Sequence, residues 1–190
     1  MKITAGVDEV GRGSLMGPVY AAAVILNSSI DIKLLKDSKS IAKDKRELLS
    51  NYIKKNSTWA VGKASVKEID KINILQASLL AMKRAIKKLK IKPSHILIDG
   101  NKVPDLKNYN LKAVIKGDQK IPSISAASII AKVSRDKFIS TLAKNNNGYG
   151  WDQNFGYGTK QHLTAIKKLG INKRHRKTFS PISRLKTHNI

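Results

Sequence analysis

The chain predicts an α/β domain with a mixed central sheet flanked by helices and a small helical C-terminal part. Three observations carry this expectation. Two apolar runs stand close together at the start with only a glycine-rich turn between them. Further short apolar runs then alternate with segments of helical periodicity. The last part of the chain shows helical patterning alone.

Taken in order, Ile3 to Val10 reads as a strand closed by Gly11 and Gly13, and Pro18 to Leu26 as its partner. A polar loop with Asp37, Ser38 and Lys39 precedes a helix from about Ala42 to Lys55. Trp59 to Val66 alternates like a third strand. From Lys67 to Lys90, Ile69, Ile72, Leu75, Leu79, Met82 and Ile86 recur at helical spacing, with Lys83, Arg84, Lys87 and Lys88 on the other face. Pro93 is expected to end that helix. His95 to Ile98 and Leu111 to Ile115 are short strands. From Ser123 to about Ala143 a helix opens with small residues, which suits close packing on a sheet. Asn145, Asn146, Asn147 and Gly148 break it. A helix from Thr159 to Leu169 and one starting at Ser180-Pro181 complete the chain. The expected organisation is one domain over 1–190, with an α/β core over about 1–145 and a basic helical part over about 146–190.

Composition narrows the function. Lys and Arg number 37 against 13 Asp and Glu, a formal net charge of +24 on 190 residues, so the expected partner is a polyanion, nucleic acid above all. No apolar run approaches the roughly 18 residues of a membrane span, and the start MKITAGVDEV has no signal-peptide pattern, so the expected location is the cytoplasm. With no cysteine, disulfides, thiolate zinc sites and cysteine nucleophiles are excluded. His95, His162, His175 and His188 lack paired metal-ligand spacing, so a metal site here would be built from carboxylates and suit Mg²⁺ or Mn²⁺. No long apolar stripe suggests self-association, and a monomer is expected.

Scarce acids in a basic chain draw attention when they sit beside glycine at strand ends. Asp8 and Glu9 precede Gly11, Asp99 precedes Gly100, and Asp118 follows Gly117. Successive strand side chains face opposite ways, so Asp8 and Glu9 reach one ion only if the strand ends or bulges there, or if Glu9 offers its carbonyl. If the three strands are neighbours, four carboxylates converge at one sheet edge. Such a cluster either raises a pKa or binds cations. Beside a phosphate-attracting surface, metal-assisted phosphodiester hydrolysis is the economical reading, with two ions sharing the attacking and leaving oxygens.

GVDEVGRGSLMGPV, DSKSI, LIDGNKVP, KGDQKIPSISAASIIAKVSRD, FGYGTKQH and HRKTFSPISR resemble, in order and spacing, the motifs of the type 2 ribonucleases H, bacterial ribonuclease HII foremost. The resemblance runs from Gly6 to about Arg184. It implies a ribonuclease H-like fold and a metal-dependent endonuclease that cuts the RNA strand of RNA–DNA hybrids, incises duplex DNA 5′ of a single embedded ribonucleotide and leaves 5′-phosphates. It implies Asp8, Glu9, Asp99 and Asp118 as metal-binding and catalytic acids. It also implies Gly11, Arg12 and Gly13 as readers of the ribonucleotide, Tyr157 as a stacking group at the RNA-to-DNA junction, and Lys39 as a phosphate contact.

Several expectations stand beside that set. His162 either positions phosphate, supports Tyr157 or is a satisfied structural histidine. Arg135 and Asp136 are expected to pair locally, outside the catalytic set. The tail from Asn172, with Lys173, Arg174, Arg176, Lys177, Arg184 and Lys186 and no acid, reads as a phosphate-gripping surface. Ser14 and Gly158 stand where proline is common in the family, which puts affinity and junction preference in question. The alternatives are a hybrid-only ribonuclease H, disfavoured because no extra N-terminal domain is seen, and a non-catalytic basic binder. The latter would avoid carboxylates beside its phosphate track.

Overall fold

The computed structural model describes residues 3–35 and 42–185. Lys39, and with it the expected phosphate contact, lies outside the described residues, as does Lys186. The sheet has five strands: β1 (Thr4–Val10), β2 (Val19–Leu26), β3 (Ser57–Ala64), β4 (His95–Asp99) and β5 (Leu111–Val114), ordered β3-β2-β1-β4-β5. β2 runs antiparallel to its neighbours β1 and β3, while β1, β4 and β5 run parallel. That is the expected mixed sheet, and it makes the three acid-tipped strands neighbours.

The helices are α1 (Lys43–Lys55), α2 (Val66–Lys87), α3 (Gly117–Lys120), α4 (Pro122–Lys144), α5 (Trp151–Asn154), α6 (Lys160–Leu169) and α7 (Ile182–Leu185). Alternation along β1 and β2 sends Val7, Ala21 and Ala23 to a core shared with Ile69, Ala81 and Ala85 of α2. Ala22 and Val24 face the other way, into a core with Ala127, Ile130 and Ala131 of α4 and Ile53 of α1. A third core joins Leu15 and Met16 to Ile139 of α4 and to Trp151, Ile166 and Ile182 of the C-terminal part. The C-terminal part is thus packed on the segment that leaves β1.

The small residues opening α4 let it lie on the sheet. A Cβ at Gly6 would collide with the backbone of Ser123 and Ile124, so β1 and α4 meet backbone to backbone.

Two boundaries differ from expectation for identifiable reasons. The third strand stops at Ala64 because Ser65 caps α2: its hydroxyl accepts from the Glu68 N–H while the Glu68 carboxylate accepts from the Ser65 N–H, a capping box worth about 1 kcal/mol. At the other end α2 stops at Lys87, well before Pro93, and it is kinked at Asn73 (φ 64°), whose Oδ1 accepts from the Gln76 N–H and restarts the helix.

Candidate active site

The register places the acids. Val7 of β1 pairs with Ile98 of β4, so Asp8 and Asp99, one residue further along each parallel strand, stand side by side at the sheet edge. Asp8 is 6% exposed, and its Oδ1 accepts from the Glu9 N–H at 2.7 Å. Burial raises its carboxyl well above the ordinary value, with repulsion from Glu9 and Asp99 adding to it and a hydrogen bond from Ser128 of α4 opposing it. Glu9 is raised too, by burial first, while Arg12 pulls it back down with an ion pair at 3.1 Å. Asp99 Oδ1 accepts from the Gly117 N–H at 2.6 Å, which ties β4 to the turn carrying Asp118. Asp118 is the next residue, half-buried on α3.

The strand neither ends nor bulges between Asp8 and Glu9. Its pairing with β2 stays regular through Val10, opposite Tyr20, and the break comes only at Gly11. Asp8 and Glu9 therefore leave opposite faces of β1. As their side chains stand, no three acids or imidazoles among the described residues close into a metal cage. Glu9 is engaged by Arg12 and Asp99 by Gly117. The donor chemistry nevertheless fits a hard divalent cation: the donors are carboxylate oxygens at one edge, and the buried one is destabilised by its like-charged neighbours. These four side chains are the ones that could hold Mg²⁺ or Mn²⁺.

The loop after β1 is built from inside. Gly11 has φ +89°, and a Cβ there would meet the Arg135 guanidinium, so this position is glycine because of what lies beneath it. Gly13 is the opposite case: a Cβ there would have nothing within 4 Å, and the outer face of the loop is open to a ligand. Arg12 is exposed and turned onto Glu9.

Arg135 and Arg176 are the functional candidates that sequence reasoning missed. Arg135 does not pair with Asp136, which binds Lys132 at 2.9 Å. Arg176, expected on a phosphate-gripping surface, is 0% exposed, as is Arg135. Their only sequence signal was an arginine inside each of two motifs, which cannot tell a buried donor from a surface cation.

Tyr157 reaches this loop from the C-terminal part. Ser14 and Tyr157 form an isolated antiparallel bridge, and the Leu15 N–H donates to the Gly156 carbonyl at 2.8 Å. Two cations flank the half-buried ring, with Lys132 Nζ 5.8 Å and Arg135 Cζ 5.6 Å from its centre.

Behind Tyr157 two buried imidazoles stack, and the network fixes their protons. Trp151 Nε1–H donates to His162 Nε2 at 2.9 Å, so His162 carries its proton on Nδ1 and donates it to the Tyr157 carbonyl at 2.9 Å. His175 Nε2–H then donates to His162 Nε2 at 3.1 Å, and its Nδ1 accepts from the Asn172 N–H at 2.8 Å. Fully buried and bonded at both ring nitrogens, His162 is a satisfied structural histidine whose Nδ1–H also supports the Tyr157 backbone, and it stands away from any phosphate-contacting surface.

Comparison with known proteins gives the family and agrees with the fold. The family model described as Ribonuclease HII matches residues 5–182. Ribonuclease HII of Pelagibacter ubique is 80% identical over 185 residues, 97% of this chain and 100% of that one. Ribonuclease HII of Neisseria meningitidis serogroup B is 49% identical over 184 residues, 96% of this chain and 95% of that protein. The crystal structure of ribonuclease H2 from Pyrococcus horikoshii superposes with a TM-score of 0.81 at 28% identity, covering 97% of each chain. With near-complete coverage in sequence and in fold, this chain belongs to the ribonuclease HII family of endoribonucleases.

Proposed function

We propose that this chain hydrolyses the RNA strand of RNA–DNA hybrids and incises duplex DNA 5′ of single embedded ribonucleotides, with Mg²⁺ or Mn²⁺, two ions during turnover, held by Asp8, Glu9, Asp99 and Asp118. The observation that carries the reading is the juxtaposition at one sheet edge: side-by-side Asp8 and Asp99, the open Gly13 loop and the bridged Tyr157. The chemistry that bound divalent cations supply at such a site is activation of water and neutralisation of the leaving oxygen.

The chain's own groups do the rest. Ser128 and the Glu9 N–H orient Asp8, and the Gly117 N–H orients Asp99. Arg12 pairs with Glu9 Oε1 at 3.1 Å, so Glu9 would take an ion through its other carboxylate oxygen or its carbonyl. Gly13 admits the sugar, the amides of the Gly11–Gly13 loop meet its 2′-hydroxyl, the group that separates RNA from DNA, and Tyr157 stacks at the junction. Lys39 and the surface lysines bind phosphate. The chain acts as a single domain, about 1–145 supplying the acids and about 146–190 supplying Tyr157, as a cytoplasmic monomer that removes ribonucleotides during DNA replication and repair.

Asp8→Asn and Asp99→Asn test the reading. Each is expected to abolish cleavage while duplex binding, measured by fluorescence anisotropy, is kept or tightened because a negative charge is lost. Turnover retained by both variants would sink the acid assignment.

A further inference from the structure

Arg135 and Arg176 are both 0% exposed, and no ion pair among the described residues includes either of them. Two unpaired buried charges are costly, and a well-packed apolar replacement is generally no worse for stability. What they bond suggests a purpose beyond stability. Arg176 donates from Nη2 to the Gly11 carbonyl (2.7 Å), from Nη1 to the Arg12 carbonyl (2.8 Å) and from Nε to the Gly17 carbonyl (3.0 Å). Arg135 donates from Nε to the Pro18 carbonyl (3.2 Å), from Nη1 to the Phe155 carbonyl (3.1 Å), and from Nη2 to Ser14 Oγ (2.8 Å) and the Met16 carbonyl (3.2 Å). Every acceptor lies in residues 11–18 except the Phe155 carbonyl, two residues before Tyr157.

In a planar trans peptide the N–H points opposite to the carbonyl before it. With the Gly11 and Arg12 carbonyls held inward, the amides of Arg12 and Gly13 are directed outward, on the side where Gly13 faces open space. The negative ends of those peptides are turned away from any approaching phosphodiester, and two guanidinium charges stand behind the amides. Such an outward amide pair is an anion- and oxygen-binding concavity. Both guanidiniums are pushed down by burial, Arg176 to about 9, with Arg135 as a neighbouring like charge. Arg176 therefore keeps its charge at neutral pH.

We propose that Arg135 and Arg176 are positioning residues for ribonucleotide discrimination: Arg176 holds the Gly11–Gly13 loop with its amides aimed at the 2′-hydroxyl and junction phosphate, and Arg135 fixes the Ser14–Pro18 segment that continues the loop. This rests on the proposed function's reading of that loop. Ser14 adds its hydroxyl to the same lock by accepting from Arg135 and donating to the Met16 carbonyl at 2.9 Å.

The experiment measures kcat/KM on a duplex with one ribonucleotide, and the inhibition constant of an all-DNA duplex of the same sequence in the same assay. The intact chain is compared with Arg176→Lys, and circular dichroism reports folding. The expected result for Arg176→Lys is a loss of about tenfold to a hundredfold in kcat/KM, from losing a charged hydrogen-bonding fork. The all-DNA inhibition constant should stay within about twofold, because surface cations set it. A folded variant in which both constants are unchanged, or both weaken by one common factor, overturns the inference and leaves the proposed function standing. If the intact chain does not cut the ribonucleotide duplex, the proposed function falls and takes the inference with it. Should Arg176→Lys not fold, Ser14→Ala decides: a severalfold loss of kcat/KM with an unchanged inhibition constant supports the lock, and an unchanged kcat/KM overturns it.

Discussion

Acid should loosen the wall behind Tyr157, and the stacked histidines say by how much. In the neutral pair every ring nitrogen is hydrogen-bonded, with His162 Nε2 shared as acceptor between the Trp151 and His175 N–H groups. A proton added to His162 Nε2 would face the Trp151 Nε1–H, and one added to His175 Nδ1 would face the Asn172 N–H. Burial is the largest cause holding both histidines below their ordinary value. It takes His175 to about 4, with His162 as the next contribution. The unfolded chain takes up that proton near pH 6.5 and the folded chain only near 4, so stability is fully present above about 6.5 and is lost as pH falls towards 4. At about 1.4 kcal/mol per pK unit, the His175 shift corresponds to a loss of about 3 kcal/mol across that window, a large part of a typical domain's stability. The assay is urea unfolding of the native chain and of His175→Gln from pH 8 to pH 4.5. Taking the difference between the two cancels the carboxylates they share. The difference should shrink on acidification with a slope approaching one proton. A difference that stays flat with pH would refute the neutral-pair account.

Four further outcomes follow from the loop and the surface. Gly11→Ala places a Cβ on the Arg135 guanidinium at φ +89° and should cost about 2–4 kcal/mol in thermal or urea melts. Gly13→Ala, with nothing within 4 Å of its Cβ, should melt within about 0.5 kcal/mol of the native chain yet lose most of its cleavage rate; a Gly13→Ala variant with native kinetics would remove Gly13 from the ligand face. Tyr157→Ala should lower cleavage at a single ribonucleotide far more than it lowers stability, since the ring is half-buried and flanked by cations, and an unchanged rate would take it out of the site. Binding of an all-DNA duplex, followed by anisotropy against salt, should weaken steeply, as expected for a chain of net charge +24 that neutralises several phosphates.

Strand and helix positions were legible where a period repeats over many residues. β1, β2 and α4 fall within a residue or two of their apolar patterns, because alternation and helical spacing report directly on which face is buried. The glycine-tipped acids also pointed to one sheet edge, which strands β1, β4 and β5 form in parallel. One-turn helices such as Gly117–Lys120 and Trp151–Asn154 are too short to carry a period, and they went unread. The faces of Asp8 and Glu9 were anticipated as a conflict, and the regular pairing through Val10 keeps that conflict in place. Arg135 and Arg176 were misread because burial of a cation by carbonyl groups depends on loop geometry, which composition does not encode. The close approach of Arg135 beneath Gly11 was equally illegible, since a contact with a residue so far along the chain leaves no local pattern, whereas Gly13 leaves room outside the loop.

The most direct test of the central claim is single-nucleotide mapping of the cut in a labelled DNA duplex carrying one ribonucleotide, beside an all-DNA control, in Mg²⁺, Mn²⁺ or EDTA. The account predicts one cut immediately 5′ of the ribonucleotide in the presence of metal, with no cut in EDTA or in the control. An intact ribonucleotide duplex under conditions where an RNA–DNA hybrid is degraded would contradict the reading of the Gly11–Gly13 loop, and cleavage undiminished by EDTA would contradict the role given to Asp8, Glu9, Asp99 and Asp118.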